Sequence, residues 1–262
     1  MEKKIGKIIL LFWIFNCLTV FIIYKIFKTD SEILSSFLIH ITLWHALLLL
    51  FLVLHKSEFV NSDNGVVLEK VNLANIITLC RISSVPLIAF LLKQHHIRSI
   101  LIILSIALAL IFLTDLFDGF IARKFNQETG IGKMLDSMSD YSLLGLVSIV
   151  YFQLGLLPHW FFYLILGRLM FQTVGMAFFM LLKFPMEIKS TYGGKITIAA
   201  TMSFYAIKLL QFFIPISNIL KNIFIIAEYC CGFIIFVFSF EKIYIFYKHY
   251  KKYESQKIKY NV

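Results

Sequence analysis

Apolar residues in this chain run in unbroken blocks, and polar residues fall in short stretches between them. The blocks lie at 8–27, 33–54, 75–93, 98–120, 135–156, 159–182, 196–214 and 222–247. Each is about 17–25 residues long, the length a helix rising 1.5 Å per residue needs to cross a hydrocarbon core of about 30 Å. The blocks lack the strict polar–apolar alternation of a transmembrane barrel strand. The pattern predicts an all-α polytopic membrane protein with about eight transmembrane helices.

The polar segments divide the chain. The longest between blocks, residues 55–74, separates two N-terminal helices (1–54) from a group of six (75–247), and a basic tail follows from 248 to 262. Residues 55–74 read as a cytoplasmic linker or interfacial segment. Lys3, Lys4 and Lys7 precede the first block as in a signal peptide, but the block is long and no small-residue cleavage site follows, so a retained first span is expected.

Composition sharpens this picture. The chain is 60% hydrophobic, against roughly 45–50% for a soluble domain. Its net charge of +10 would suggest nucleic acid in a soluble protein. Here the basic residues flank apolar blocks, so membrane topology and anionic lipid headgroups account for them and no nucleic-acid partner is expected. With the N-terminus in the cytoplasm, Lys56, Lys70, Arg123, Lys124, Lys133, Lys183, Lys189, Lys195 and the tail lysines are inside, and only Lys25, Lys28, Lys93, Arg98 and Lys221 flank outer ends. Both termini are then cytoplasmic. Cys17, Cys80, Cys230 and Cys231 lie in apolar blocks without zinc-ligand spacing and read as small buried hydrophobes.

Ionisable residues within or beside spans mark function. The densest group reads Asp115-Leu-Phe-Asp118-Gly119-Phe-Ile-Ala122-Arg123, eight residues, then Gly132-Lys-Met-Leu-Asp136-Ser-Met-Ser-Asp140. Asp115 and Asp118 share a helix face, as do Asp136 and Asp140, because residues three or four apart are helical neighbours. A short polar turn, Lys124 to Ile131, joins the two helices. Four carboxylates therefore converge near the inner membrane surface, where their mutual repulsion calls for divalent cations. Hard oxygen donors suit Mg²⁺ or Mn²⁺, with two ions expected, the usual partners of a diphosphate. Gly119 and Ala122 let a ligand approach the helix backbone, and Arg123 can pair with phosphate oxygens.

At all eight fixed positions, Asp115 to Asp140 resembles the signature D-x2-D-G-x2-A-R-x8-G-x3-D-x3-D of the CDP-alcohol phosphotransferase family. The resemblance covers about residues 70–247. It implies a six-helix catalytic core with a cytoplasmic active site, in a bacterial inner membrane, often as a homodimer. It also implies that Asp115, Asp118 and Asp136 hold metal and that Asp140, beside the metal, is the general base. CDP-diacylglycerol is the commonest donor in this family. Asn75-Ile-Ile-Thr78-Leu-Cys-Arg81 looks like the family's N-x2-T-x2-R element, and its three polar residues lie on one helix face. With Asp115, Gly119, Ala122, Arg123 and Gly132 they form the expected site for the CDP donor.

The acceptor side is sketched by Arg168, inside the sixth block, and by Lys189 and Lys195 around the start of the seventh. These cations suit an acceptor that carries its own phosphate, with glycerol 3-phosphate the first choice. Gly194-Lys195-Ile-Thr197 is similar to the G-K-x-K-T element of the phosphatidylglycerophosphate synthase branch, although Thr197 replaces its second Lys and Leu169 its Glu. The wording Leu135-Asp136-Ser137 is closer to serine- or inositol-type transferases, so serine, inositol or its phosphate, and choline stay open as acceptors, as does transfer of phosphocholine to diacylglycerol. More distant readings are an intramembrane prenyltransferase, which needs two separate Asp-rich loops, and a non-catalytic membrane protein. All motif residues lie at or after Asn75, so the two N-terminal spans are expected to be dispensable for chemistry.

Overall fold

The computed structural model describes residues 1–61, 65–68, 71–125, 128–181, 191–215 and 217–260; the side chains of 112, 115–120, 123, 176–177, 179–181 and 252–260 lie outside the description. Among the described residues there are nine α-helices and no strands, only isolated bridges. They are α1 (Glu2–Phe27), α2 (Ser31–Leu54), α3 (Leu73–Ser83), α4 (Val85–Lys93), α5 (Arg98–Lys124), α6 (Gly130–Gln153), α7 (His159–Leu181), α8 (Tyr192–Leu209) and α9 (Asn218–Tyr260). Four stretches are long and apolar enough to cross a membrane by length and composition: α1, α2, α3 with α4, and Asn218–Lys251 of α9.

Burial runs opposite to that of a water-soluble protein. Leu10, Leu11, Phe15, Leu47, Leu54 and Phe233 are exposed, while Asn75, Thr78, Arg81, Asp140, Thr201, Lys208 and Glu228 are buried. In hydrocarbon an apolar outer face costs nothing, and polar groups must find partners inside. This is the distribution of an integral membrane protein.

The chain forms two compact units, 1–146 and 147–262. In the first, α1 and α2 make a hairpin. Lys28 ends α1 in the left-handed conformation at φ 50°, and Asp30 caps α2 by accepting the Glu32 N–H at 2.9 Å. Trp13 Nε1 donates to Thr42 Oγ1 across the pair at 3.1 Å, and Lys56 meets Glu2 at 2.6 Å at its open end. The inner face of α2, Ile41, His45, Leu48 and Leu52, is buried at helical spacing. Phe37 packs edge-on against Phe90 of α4, with ring centroids 5.4 Å apart. The hairpin thus belongs to the same unit as α3–α5.

Span three is broken where a single helix was expected. Pro86 has no N–H to give the Ile82 carbonyl four residues earlier, so the helix parts at Ser84 into α3 and α4. Ser84 Oγ donates to the Arg81 carbonyl at 2.7 Å and closes α3. The polar turn is also shorter than expected: α5 continues to Lys124 and α6 begins at Gly130. Among the described residues of 55–74, Phe59 is fully buried and bridges join Val60 to Val67 and Asn61 to Thr129.

In the second unit, the later part of α6 packs on α8: Ser148 Oγ hydrogen-bonds Tyr205 OH, and Tyr151 OH donates to the Tyr205 carbonyl at 3.1 Å. Lys208 and Glu228, isolated in the sequence, pair with each other at 3.1 Å between α8 and α9. Helix α8 ends at Leu209 in a 3-10 turn, short of the expected 214, and α9 continues helical to Tyr260 through the expected basic tail. Forty-three residues make about 65 Å of helix, longer than the hydrocarbon core, so α9 carries its lysine-rich end out of it. Of the four cysteines, only Cys231 is buried; Cys17 is half-buried, and Cys80 and Cys230 lie on exposed faces, where a thiol costs little in lipid.

The Lys208–Glu228 pair gives a stability test. Lys208→Met leaves a buried carboxylate without its cation and is expected to cost about 3 kcal/mol. Lys208→Met with Glu228→Met removes both charges and is expected to regain most of that loss, read as unfolding midpoints in detergent. Equal losses in the single and double variants would contradict it.

Candidate active site

The site in the first unit begins with two helix N-termini. Asn72 caps α3 by accepting the Asn75 N–H at 2.9 Å. Thr129 caps α6: its Oγ1 accepts the Gly132 N–H at 3.0 Å, the usual reach of an N-cap hydroxyl to the third helical residue. The same Oγ1 lies 3.1 Å from Nδ2 and 3.2 Å from Oδ1 of Asn75, so the first turn of α3 is tied to the cap of α6. Gly132 is needed for that tie. A Cβ there would sit 2.6 Å from Asn75 Oδ1 and 2.9 Å from Thr129 Oγ1, too close for either to stay.

This tie sets α6 against α3, and the charged centre follows two turns along. Arg81, on the last turn of α3, is wholly buried at 0% exposure. Its Nη2 lies 2.7 Å from Asp136 Oδ1, and its Nη1 lies 3.7 Å from Asp140 Oδ1. The two carboxylates sit one turn apart on α6, as their spacing predicts. Their environments differ: the Asp136 side chain is 50% exposed and that of Asp140 only 11%. One guanidinium therefore holds an accessible carboxylate and a sheltered one. Thr78, one turn before Arg81, is buried and donates to the Ala74 carbonyl at 3.1 Å.

Asp115, Asp118, Gly119 and Arg123 lie on α5 by their backbone, and their side chains fall outside the described residues. Ala122, on the same helix, is half-buried. Among the described residues no group of three or more His, Cys, Asp or Glu is arranged for a metal; Asp136 and Asp140 are the described members of the acidic set. Lys133, beside them in sequence, faces Glu128 at 3.6 Å.

The second unit holds Arg168 and Lys195. Arg168 is buried on α7 and donates from Nη1 to the Ile235 carbonyl of α9 at 2.9 Å. Thr191 caps α8 through the Gly194 N–H at 3.1 Å, which places Lys195 exposed on its first turn. Thr197, standing where a second Lys was compared, is buried and donates to the Gly193 carbonyl at 2.8 Å. A Cβ on Gly193 would collide with the Glu241 carboxylate and the Phe238 ring, so this glycine permits the close approach of α9. Arg168 and Lys242 both line a cleft of about 320 Å³ between α7 and α9, and Lys242 Nζ lies 3.5 Å from where a Gly194 Cβ would stand. Lys189 lies outside the described residues.

Thr129 and Lys242 were not singled out from the sequence. Thr129 stands three residues before Gly132, the spacing of an N-cap, but hydropathy started that span at 135 and hid it. Glu241-Lys242 is a charged pair inside an apolar run, a signal of the same kind that marked Arg168.

Residues 71–234 match the sequence pattern of the family described as CDP-alcohol phosphatidyltransferase. A CDP-diacylglycerol–glycerol-3-phosphate 3-phosphatidyltransferase of Aquifex aeolicus is 33% identical over 156 residues, 58% of this chain and 84% of that protein. A protein of the same name from Rickettsia bellii is 42% identical over 81 residues, which cover 30% of this chain and 43% of its own. The family match begins just before α3 and takes in the Asp115–Asp140 motif, Arg81, Arg168 and Lys195. The chain is a member of the CDP-alcohol phosphatidyltransferase family, an enzyme of that class.

Proposed function

We propose that this chain makes phospholipid by moving the phosphatidyl group of CDP-diacylglycerol to glycerol 3-phosphate, with release of CMP. The observation that carries the reading is the Arg81–Asp136–Asp140 arrangement at the end of a fully matched family motif. The acceptor hydroxyl attacks the lipid-bearing β-phosphorus, a new P–O bond forms, and the bond to the CMP oxygen breaks. Asp140 takes the hydroxyl proton. Its sheltered position and the guanidinium beside it keep the carboxylate oriented, so that the base does not swing into solvent between turnovers.

The donor set fits divalent metal. Asp136 and Asp140, the described members of a motif with four carboxylates, share one buried Arg81, and hard oxygen donors of this kind suit a divalent cation. Asp115, Asp118 and Asp136, with Asp140 adjoining, would hold Mg²⁺ or Mn²⁺, two ions by the family resemblance. When bound, the metal supplies charge neutralisation at the diphosphate and the departing CMP. Asn75, Thr78 and Gly132, with Gly119, Ala122 and Arg123, form the donor end. Arg168, Lys189 and Lys195, joined by Lys242, take the acceptor's phosphate, where charge-assisted hydrogen bonds are strong. The names of the Aquifex and Rickettsia relatives support this acceptor. The same proposal places eight spans in a bacterial inner membrane, a six-helix core after the N-terminal hairpin, the site and both termini on the cytoplasmic face, and a homodimer.

Three outcomes test the reading. Asp136→Asn is expected to lower turnover by more than about a hundredfold while the chain still runs as folded protein on size exclusion; wild-type-like turnover at saturating Mg²⁺ would sink the metal assignment. EDTA is expected to abolish activity, and Mg²⁺ or Mn²⁺ to restore it, with little support from the larger Ca²⁺; full activity in chelator would remove the metal from the mechanism. In a panel of glycerol 3-phosphate, serine, inositol phosphate and choline, glycerol 3-phosphate is expected to give the lipid product by mass. Lys195→Ala should raise its KM about tenfold with donor KM unchanged. Turnover of serine or choline without glycerol 3-phosphate would refute the acceptor and leave the family chemistry standing.

A further inference from the structure

Arg81 sits one residue before a carbonyl whose usual helical donor, four residues on, is missing. Pro86 lacks the N–H that would close the turn onto Ile82, and α3 ends two residues after Arg81. The Ile82 carbonyl receives a donor from outside the helix: Trp44 Nε1, on α2, at 3.0 Å. Nothing in the proposed chemistry uses Trp44, and it lies outside the family match, which begins at residue 71. A backbone carbonyl in an apolar surrounding is costly without a partner, so this indole holds the broken end of α3 in one orientation. Phe37 of α2, edge-on against Phe90 of α4, holds α2 on the same helix pair.

We infer that Trp44 is a positioning residue for the reaction: through the Ile82 carbonyl it sets the last turn of α3, and so the Arg81 guanidinium, on Asp136 and Asp140. The N-terminal hairpin is then a brace for the catalytic carboxylates and not a dispensable anchor. Its influence falls on the step in which those carboxylates act, so it is felt in kcat and not in the binding of either substrate. The inference rests on the phosphatidyl transfer proposed above.

The test is a double-variant cycle on the full chain. Trp44→Phe keeps an aromatic ring and removes the five-membered ring with its N–H. It is expected to lower kcat about fivefold to tenfold, the effect of one lost hydrogen bond, with both KM values within twofold. Arg81→Lys keeps the charge but loses the fork that spans two carboxylates. In that background Trp44→Phe is expected to change kcat by less than about twofold, because the group it positions is already displaced. A role in packing alone predicts the same factor in both backgrounds, and that result overturns the inference, as does unchanged kcat in Trp44→Phe. If Trp44→Phe does not fold, Pro86→Ala replaces it in the cycle with the same expectation, since it disturbs the same junction from the other side. If the unsubstituted chain shows no turnover, the proposed function has failed. The inference is then judged by unfolding midpoints of the same four proteins, where a smaller Trp44→Phe shift in the Arg81→Lys background supports it and equal shifts overturn it.

Discussion

A guanidinium with no exposed surface, on a helix inside a membrane protein, is stable only against fixed negative charge, and the first unit is organised around that requirement. Arg81 reaches Asp136 at 2.7 Å and Asp140 at 3.7 Å, and the pairing works both ways. The carboxylates offset the desolvation of the cation, and the cation limits repulsion between carboxylates one turn apart. Arginine suits the task because its planar fork spans two acceptors and stays charged. Everything that sets α3 against α6 therefore bears on the reactive group.

Two devices do this, one at each end of α3. At its start, Asn75 on the first turn of α3 bonds Thr129, the cap of α6, and Gly132 leaves room for them. At its end, Pro86 breaks the helix and Trp44 takes the freed carbonyl. The first also gives the Gly132 N–H, orphaned at a helix start, its acceptor, and the second uses a carbonyl that a continuous helix would have kept to itself. Water is absent from the hydrocarbon, so each freed donor or acceptor selects one partner, and that selectivity makes a helix break a positional constraint.

The second unit solves the same problem differently. Its buried Lys208 and Glu228 answer each other, and its buried Arg168 lies on a backbone carbonyl of α9 while sharing a cleft with Lys242. The first arrangement is closed and fits a structural pin between α8 and α9. The second leaves Arg168 and Lys242 on a cleft otherwise lined largely by apolar residues such as Phe171, Phe236 and Phe240. Glycines at 193 and 194 allow α9 to bring Glu241 and Lys242 close to the start of α8.

The sequence by itself determined the helical class, the approximate place of the helices, the family and the spacing of the motif carboxylates. Span length and the fixed spacing of Asp115 to Asp140 are local properties, set by helical rise and by neighbours three or four apart. It also marked Asn75, Thr78 and Arg81 as one face; only the fold brings Asn75 onto Thr129 and Arg81 onto Asp136 and Asp140, contacts 54 to 59 residues apart in the chain. Hydropathy alone passed over Pro86 in span three, and the donor that answers the break comes from 38 residues earlier, on a helix that carries no family motif. Lys208 and Glu228 were each legible as costly intramembrane charges, and neither named the other. Long-range partners of buried polar groups are chosen by packing, which places the groups in reach, and no local spacing rule encodes that choice.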